Sequence, residues 1–391
     1  MSAPDDAAPR LAPVPFATLD TVRRARPRLV VDLRSPVEFE DDHVKGALNV
    51  PLFENETRAF VGLLYKQFSP DAAFNEARAE VVQRIEEIVG RIAAAAGWDV
   101  PAVDLKERVR AMTSGGIARM ETDLDPVPLD ELPEDAVVLS CARGGLRSRS
   151  IVALLRTLGL EAVGLIDGYR AHRSHVREAL EAWTPPPHVF ALRGLTGVGK
   201  TLVLRAIEER RPGWTLDLEG IAGHRSSLLG MVGLRQTTQK GFEGGLVLRA
   251  EEGFPQGVLV MEGESRKVGD VVIPKSMWKA LQGAVNVEIV ASVARRVRVL
   301  SEDYLAVPES LPKLREQLVA VAARMDGEPD LAGMFDRGEI DPLVELLLER
   351  YYDPLYRGSE AGKRYAVTVE AEDASAAADE IVRWIEARIG A

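Results

Sequence analysis

Apolar positions along this chain fall into two alternating patterns. RLVVDL (28–33) and AVVLS (136–140) are short continuous apolar runs bounded by polar or turn residues, which predicts buried strands. Between them Val81, Ile85, Ile88, Val89 and Ile92 recur at helical spacing and predict an amphipathic helix with one face on a core. EFEDDH reads as a short helix, SRSIVALLRTLG as a helix ending near Gly159, and EAVGLIDG as the next strand. Strand, loop, helix and strand in succession predict a parallel α/β architecture.

WTPPPHV (183–189) breaks the pattern. Its three consecutive prolines cannot continue a helix and make a stiff connector, so a domain boundary is expected at 184–188. The rhythm then restarts with VFALRG (189–194), a helix from about residue 200, WTLDLEG (214–220), GVLVMEG (257–263) and NVEIVAS (286–292). ADEIVRWIEARIG closes the chain as an amphipathic helix, with Ile381, Trp384, Ile385 and Ile389 on one face. The expected organisation is a disordered N-terminus (1–14), an α/β domain (15–183) with a helical insertion over about 72–112, the linker, and a second α/β domain (189–391).

Composition narrows the class. The 391 residues are 46% hydrophobic and 28% charged, and no apolar run approaches the roughly 18 residues that span a bilayer. The first fifteen residues lack a basic stretch followed by an apolar one, so a cytoplasmic protein without a signal peptide is expected. One cysteine excludes an internal disulfide, and with five histidines it makes no obvious zinc site. The net charge of −11 conceals a local excess of the other sign. From Cys141 to Arg177, seven arginines stand against Glu161 and Asp167, a net +5, and ARRVR at 294–298 forms a second basic cluster. Either cluster alone fits a solvated face as well as a site for an anionic partner.

Two stretches carry chemistry. GLTGVGKT sets Gly194, Gly199, Lys200 and Thr201 at P-loop spacing, with Thr196 and Gly197 inside the loop, between a predicted strand and a predicted helix. Glycines let backbone N–H groups turn in around a phosphate, Lys200 balances its charge, and the Thr201 hydroxyl is the expected Mg²⁺ ligand. Glu262 and Glu264, at the end of VLVME, stand where an acidic group supports such a metal; carboxylates are also common at strand ends. No NKxD guanine reader occurs, which disfavours a GTPase and leaves kinases, ATPases and other diphosphate enzymes open.

The second stretch is CARGGLRSR (141–149), which puts the only cysteine at the C-terminal end of a predicted parallel strand, where α/β sheets bind ligands. The backbone N–H groups of 142–147 are expected to turn toward the sulfur, and Arg143 and Arg147 add positive charge. That is the setting of a nucleophile or a chalcogen carrier.

VVDLRSPVEFEDDHVKGALNVPL (30–52) together with Cys141 resembles the rhodanese family, in which the cysteine carries a transferable sulfur. The expected fold is therefore an N-terminal rhodanese-like parallel-sheet domain plus a C-terminal P-loop NTPase-like parallel-sheet domain. Five residues separate Cys141 from Arg147, one more than in most single-domain rhodaneses, and this spacing is similar to that of rhodanese-fold phosphatases. Those carry a histidine before the cysteine, where this chain has Ser140.

The whole chain from about residue 15 resembles the tRNA 2-selenouridine synthase family. The matching stretches are FENETRAFVGLLYKQ (53–67), CARGGLRS, DGYRAHR (167–173), GLTGVGKT, LEGIAGHRSS (218–227), QKGFE (239–243), MEGESRKVG (261–269), VARRVRVLSEDY (293–304) and YYDPLY (351–356).

The resemblance implies an enzyme that converts 2-thiouridine at a tRNA wobble position to 2-selenouridine. It would attach a geranyl group from geranyl diphosphate to the sulfur, then replace S-geranyl with selenium from selenophosphate. Cys141, with Arg143 and Arg147, would serve the selenium step, and the P-loop with Mg²⁺ would hold the diphosphate. Arg149, Arg170, Arg173, Arg295, Arg296 and Arg298 would contact the anticodon arm. His224, Arg225 and Tyr304 would contact base or diphosphate, although His224 fits a structural histidine equally well. Ala142 stands where the family has an aromatic residue, HRSS (224–227) replaces HRGS, and the chain between Gln67 and Cys141 is longer than usual. The residues alone leave three alternatives: a general sulfurtransferase fused to a P-loop kinase or ATPase, a redox-sensing binding protein, and a phosphatase, which shares the spacing from Cys141 to Arg147 but lacks the preceding histidine.

Overall fold

The computed structural model describes residues 14–224, 236–263, 265–360 and 362–390, and the chain divides into two units, Met1–Val176 and Arg177–Ala391. The division falls inside the helix Tyr169–Ala182, ahead of the 184–188 stretch expected to separate the domains. The last turn of that helix is already bonded within the second unit, where Ser276 Oγ donates to the Leu180 carbonyl at 2.9 Å.

The first unit holds six strands: β1 (Val14–Ala17), β2 (Leu29–Asp32), β3 (Leu48–Asn49), β4 (Pro126–Leu129), β5 (Val137–Ser140) and β6 (Ala162–Leu165). They form one sheet in the order β3-β2-β5-β6-β1-β4, and every pairing is parallel. Alternation along the strands sends Val31, Val137 and Leu139 into a core with Ile85, Ile88, Ile92 and Ile151. Val138 and Val163 belong to a second core with Leu19 and Val22, so both faces of the sheet are covered, as parallel sheets require.

Val14, expected at the end of a disordered segment, is already in β1; residues 1–13 lie outside the described residues. Neither β1 nor β4 was expected. Pro15, Pro126 and Pro128 lie within them and argue against ladder strands, and β4 accommodates two because it is an edge strand.

Between β3 and β4 the chain forms the helices Asn55–Gln67, Pro70–Ala96, Leu105–Met112 and Gly116–Asp123. The longest begins where Ser69 Oγ accepts the Ala72 N–H at 3.0 Å and ends at Gly97, whose φ of +62° suits a residue without Cβ.

The second unit has β7 (His188–Arg193), β8 (Thr215–Leu216), β9 (Val258–Glu262), the antiparallel pair β10 (Lys267–Val268) and β11 (Val271–Val272), then β12 (Val285–Val290) and β13 (Tyr365–Glu370). Its main sheet runs β13-β12-β7-β9-β8, all parallel. WTLDLEG yields only a two-residue strand, because Asp217 caps the helix Leu218–Ala222 and so ends it. The closing helix, Ala374–Ile389, buries Ile381 and Ile385 and sets Trp384 edge-on to Phe190 with ring centroids 5.7 Å apart. An unexpected helical layer over 293–352 has its own core of Val297, Leu300, Leu314, Leu318, Leu343 and Leu347.

Candidate active sites

In the first unit, β2 connects outward to β3 while β5 connects through the helix Leu146–Thr157 to β6 on its other side. Such a divergence opens a crevice at the C-terminal ends of β2 and β5. Cys141 follows β5 directly and is buried. The loop after it is clamped from beneath by the turn that follows β6: Tyr169 N–H donates to the Cys141 carbonyl at 2.8 Å and Arg170 N–H to the Ala142 carbonyl at 3.1 Å. Both glycines of this clamp have positive φ, +62° at Gly144 and +54° at Gly168. A Cβ on Gly168 would lie 2.1 Å from the Cys141 carbonyl oxygen, so the close approach requires glycine there.

A polar contact to the sulfur comes from within CARGGLRSR itself, from a residue to which the motif alone gives no role. Ser148, in the first turn of the helix Leu146–Thr157, brings Oγ to 3.2 Å from Cys141 Sγ. The helix N-terminus, with its positive dipole end, thus stands beside the sulfur.

Arg147 reaches back across the crevice to Glu38, whose carboxylate it meets at 3.4 Å, and Arg58 meets the same carboxylate at 3.3 Å. Burial opposes ionisation of Glu38, but Arg147 and Arg58, with the Ser35 N–H, together hold its carboxyl below the usual carboxylate range. Beneath the loop, the Tyr169 hydroxyl donates to Asp42 at 2.8 Å; burial first and Asp42 second push that phenol's pKa upward. Arg143 is exposed beside the crevice. Arg149 is half-buried, its Nε donating to the Gly144 carbonyl at 3.1 Å, and so braces the loop. Arg170 is exposed and pairs with Asp167 at 2.9 Å, and Arg173 is half-buried.

In the second unit, the loop 194–199 leaves β7, which lies at the centre of its sheet. Gly194 (φ +145°), Gly197 (φ +80°) and Gly199 (φ +87°) shape it, and Gly199 caps the helix Lys200–Arg210. A Cβ on Gly194 would strike the Ile289 carbonyl oxygen at 2.2 Å. Lys200 folds over its own loop, Nζ donating to the Gly194 carbonyl at 2.9 Å. The Thr201 hydroxyl lies 2.5 Å from Glu262 Oε1 and 3.2 Å from Glu219 Oε2, and Glu262 is fully buried.

One hydroxyl and two carboxylates beside a phosphate loop suit Mg²⁺, which is usually held by one or two carboxylates with phosphate oxygens and water. Glu219 was not foreseen. Among the described residues, no group of three or more His, Cys, Asp or Glu is arranged to hold a metal by itself.

Arg296 departs from the expectation of a surface contact. It is buried, donates through Nε to the Thr196 carbonyl at 2.9 Å and forms a bidentate pair with Asp353, so it fixes the P-loop. Arg295 is half-buried and Arg298 exposed. His224 is buried, with its ring against Gly269 and its backbone N–H on the Glu219 carbonyl at 3.1 Å. Arg225, Glu264 and the side chain of Tyr304 lie outside the described residues.

Residues 187–326, which contain the P-loop, Glu219 and Glu262, match the family model described as "tRNA 2-selenouridine synthase AAA domain". The chain is also 29% identical to the tRNA 2-selenouridine synthase of Cupriavidus necator, over 84% of this chain and 87% of that protein. Against the synthase of Cupriavidus pinatubonensis it is 29% identical over 92% and 94% of the two chains, and against that of Hydrogenovibrio crunogenus 28% over 84% and 88%. This chain is a homologue of the tRNA 2-selenouridine synthases. The likeness to these synthases spans both units, so the cysteine crevice lies within the aligned length as well as the P-loop.

Proposed function

We propose that this protein is a tRNA 2-selenouridine synthase, acting in the cytoplasm on 2-thiouridine at the wobble position. The observation that carries the reading is that one chain, alignable over most of its length with such synthases, pairs a cysteine crevice with a phosphate loop. No helix among the described residues is long and apolar enough to cross a membrane.

The two sites divide the chemistry. At the P-loop, geranyl diphosphate alkylates the base sulfur: the C–O bond of geranyl breaks, the S–C bond forms, and pyrophosphate leaves with the proton lost from N3. Lys200 and the loop N–H groups balance the departing charge, which is where preorganised donors contribute most. Thr201, Glu262 and Glu219 would hold Mg²⁺, which supplies Lewis-acid neutralisation of the diphosphate.

Alkylation turns sulfur into a better leaving group, and the second step exchanges it. S-geranyl base, selenophosphate and water become 2-selenouridine, geranyl thiol and phosphate, with no net oxidation or reduction. Cys141 serves as nucleophile or selenium carrier at C2, splitting one substitution into two. As a nucleophile it is joined to C2 and then displaced by selenium, and the balance closes. As a perselenide carrier it would need a two-electron oxidant to form from selenide-level selenium and two thiols to release it again, so the nucleophile route is the one that closes.

Mass spectrometry of tRNA nucleosides, with each donor omitted in turn, tests the reading. Cys141→Ser protein is expected to accumulate S-geranyl-2-thiouridine without selenium, and Lys200→Ala protein to make neither product. Lys200→Ala protein that geranylates at the wild-type rate removes the P-loop from the reaction. Sulfur transfer from thiosulfate to cyanide with ATP turnover and no change in tRNA would favour a sulfurtransferase fused to a kinase or ATPase.

A further inference from the structure

A cavity of about 760 Å³ opens beside Cys141, within the first unit. It is too large for a chalcogen atom or a single oxyanion and falls in the range of roughly 300–1,000 Å³ typical of sites for organic ligands. Its interior is apolar, lined by Phe53, Phe74, Val81, Met120, Ile151 and Leu154. The helices over 55–123, which the parallel sheet does not require, contribute much of the wall.

Cations share the lining: Arg58, Lys66, Arg78, Arg143 and Arg147. They are half-buried or exposed, whereas Phe53, Met120, Ile151 and Leu154 are buried, so charge faces outward and hydrocarbon inward. An oxyanion pocket would need convergent donors throughout, and an open apolar cleft of this size leaves hydrocarbon against water when nothing fills it.

The ligand that fits is amphiphilic: an anionic body at the mouth, an apolar tail inside, and a reacting atom near Cys141. We infer that this cavity seats the geranyl chain of S-geranyl-2-thiouridine during selenium exchange, with C2 of the base at Cys141 and neighbouring phosphates on the cationic mouth. The inference rests on the two-step reading above and adds a place for the leaving group. When Cys141 Sγ joins C2 and the bond from C2 to the geranyl sulfur breaks, geranyl thiol is already out of water, and selenium then displaces Cys141 from C2.

Gly62, on the helix Asn55–Gln67, and Ala77, on Pro70–Ala96, both line the cavity. A Cβ at Gly62 meets only the flexible end of Arg58, at 2.9 Å. Gly62→Leu and Ala77→Leu therefore fill the space from two different helices. The substrates are anticodon stem-loops carrying S-geranyl- or S-methyl-2-thiouridine, given to the full-length enzyme with selenophosphate.

Wild type is expected to prefer S-geranyl over S-methyl by at least about tenfold in kcat/KM, less than two fully buried methylenes would supply. Each filled variant is expected to bring that ratio toward one, with thermal melting checking that both fold. A wild-type preference retained in both variants overturns the assignment. Calorimetric binding of the S-geranyl stem-loop separates the two ideas. Binding that weakens about tenfold or more in the filled variants, without exchange by wild type, keeps the cavity and sinks the two-step reading. Exchange by wild type that ignores chain length does the reverse.

Discussion

Two carboxylates meet the Thr201 hydroxyl, Glu262 at 2.5 Å and Glu219 at 3.2 Å, so Glu219→Gln is expected to weaken Mg²⁺ binding at the P-loop without disturbing the buried Glu262. Cys141 and the loop 194–201 were legible in the sequence because their chemistry is local: a few consecutive positions at the end of one strand specify the turn. Glu219 was not, because it meets Thr201 only once the helix Leu218–Ala222 folds back past the short strand β8 onto the start of the helix Lys200–Arg210. Its hydrogen bond to Thr201 at 3.2 Å spans a stretch of chain that no motif measures. Ser148 was hidden for another reason: it lies inside the quoted motif, but only helical geometry shows that it faces the sulfur. Arg296 fails in the opposite direction, since a basic cluster read from sequence does not reveal which member turns inward to Asp353. If Glu219 helps hold Mg²⁺, Glu219→Gln should raise the Mg²⁺ concentration for half-maximal S-geranylation by about 10- to 100-fold, with recovery at saturating metal. A Mg²⁺ titration that overlays the wild type would remove Glu219 from the site.

At the scale of elements, the apolar pattern located strands that read as continuous buried runs, such as β5, and helices with one recurring apolar face, such as Pro70–Ala96. It missed β1 and β4, where proline conceals extended backbone, and the 293–352 helices, whose short apolar stripes form a core only with one another. The turn after β6 contributes to the cysteine site without offering it a functional side chain. It grips the Cys141 loop through two backbone hydrogen bonds and depends on a left-handed glycine. Gly168→Ala should therefore lower stability by about 1–3 kcal/mol, measured by denaturant unfolding, since its Cβ meets backbone that cannot swing aside. The same variant should lose selenium exchange well before S-geranylation, because only the first unit's loop is disturbed. Equal losses of both activities would mean that the turn supports the fold and does nothing particular for Cys141.

For the whole molecule, a net charge of −11 sets a repulsive background for nucleic acid, so binding must come from positions where cations are exposed. Arg143, Arg170 and Arg298 are exposed, whereas Arg149 and Arg296 are engaged in bracing loops. That sorting predicts two kinds of variant. If the exposed arginines contact tRNA phosphates, the logarithm of the association constant should fall linearly with the logarithm of salt concentration. Removal of each contact should then reduce the slope by about one, in the regime of roughly 0.7 to 0.9 counterions released per phosphate. Arg170→Ala and Arg298→Ala are expected to behave in this way in filter-binding titrations. Arg296→Ala is expected to leave the slope alone and instead destabilise the second unit, because it leaves Asp353, itself largely buried, without its partner. A salt slope near zero in the wild type would remove tRNA phosphates as ligands of these arginines, and a slope change in Arg296→Ala alone would reverse the inward and outward assignment.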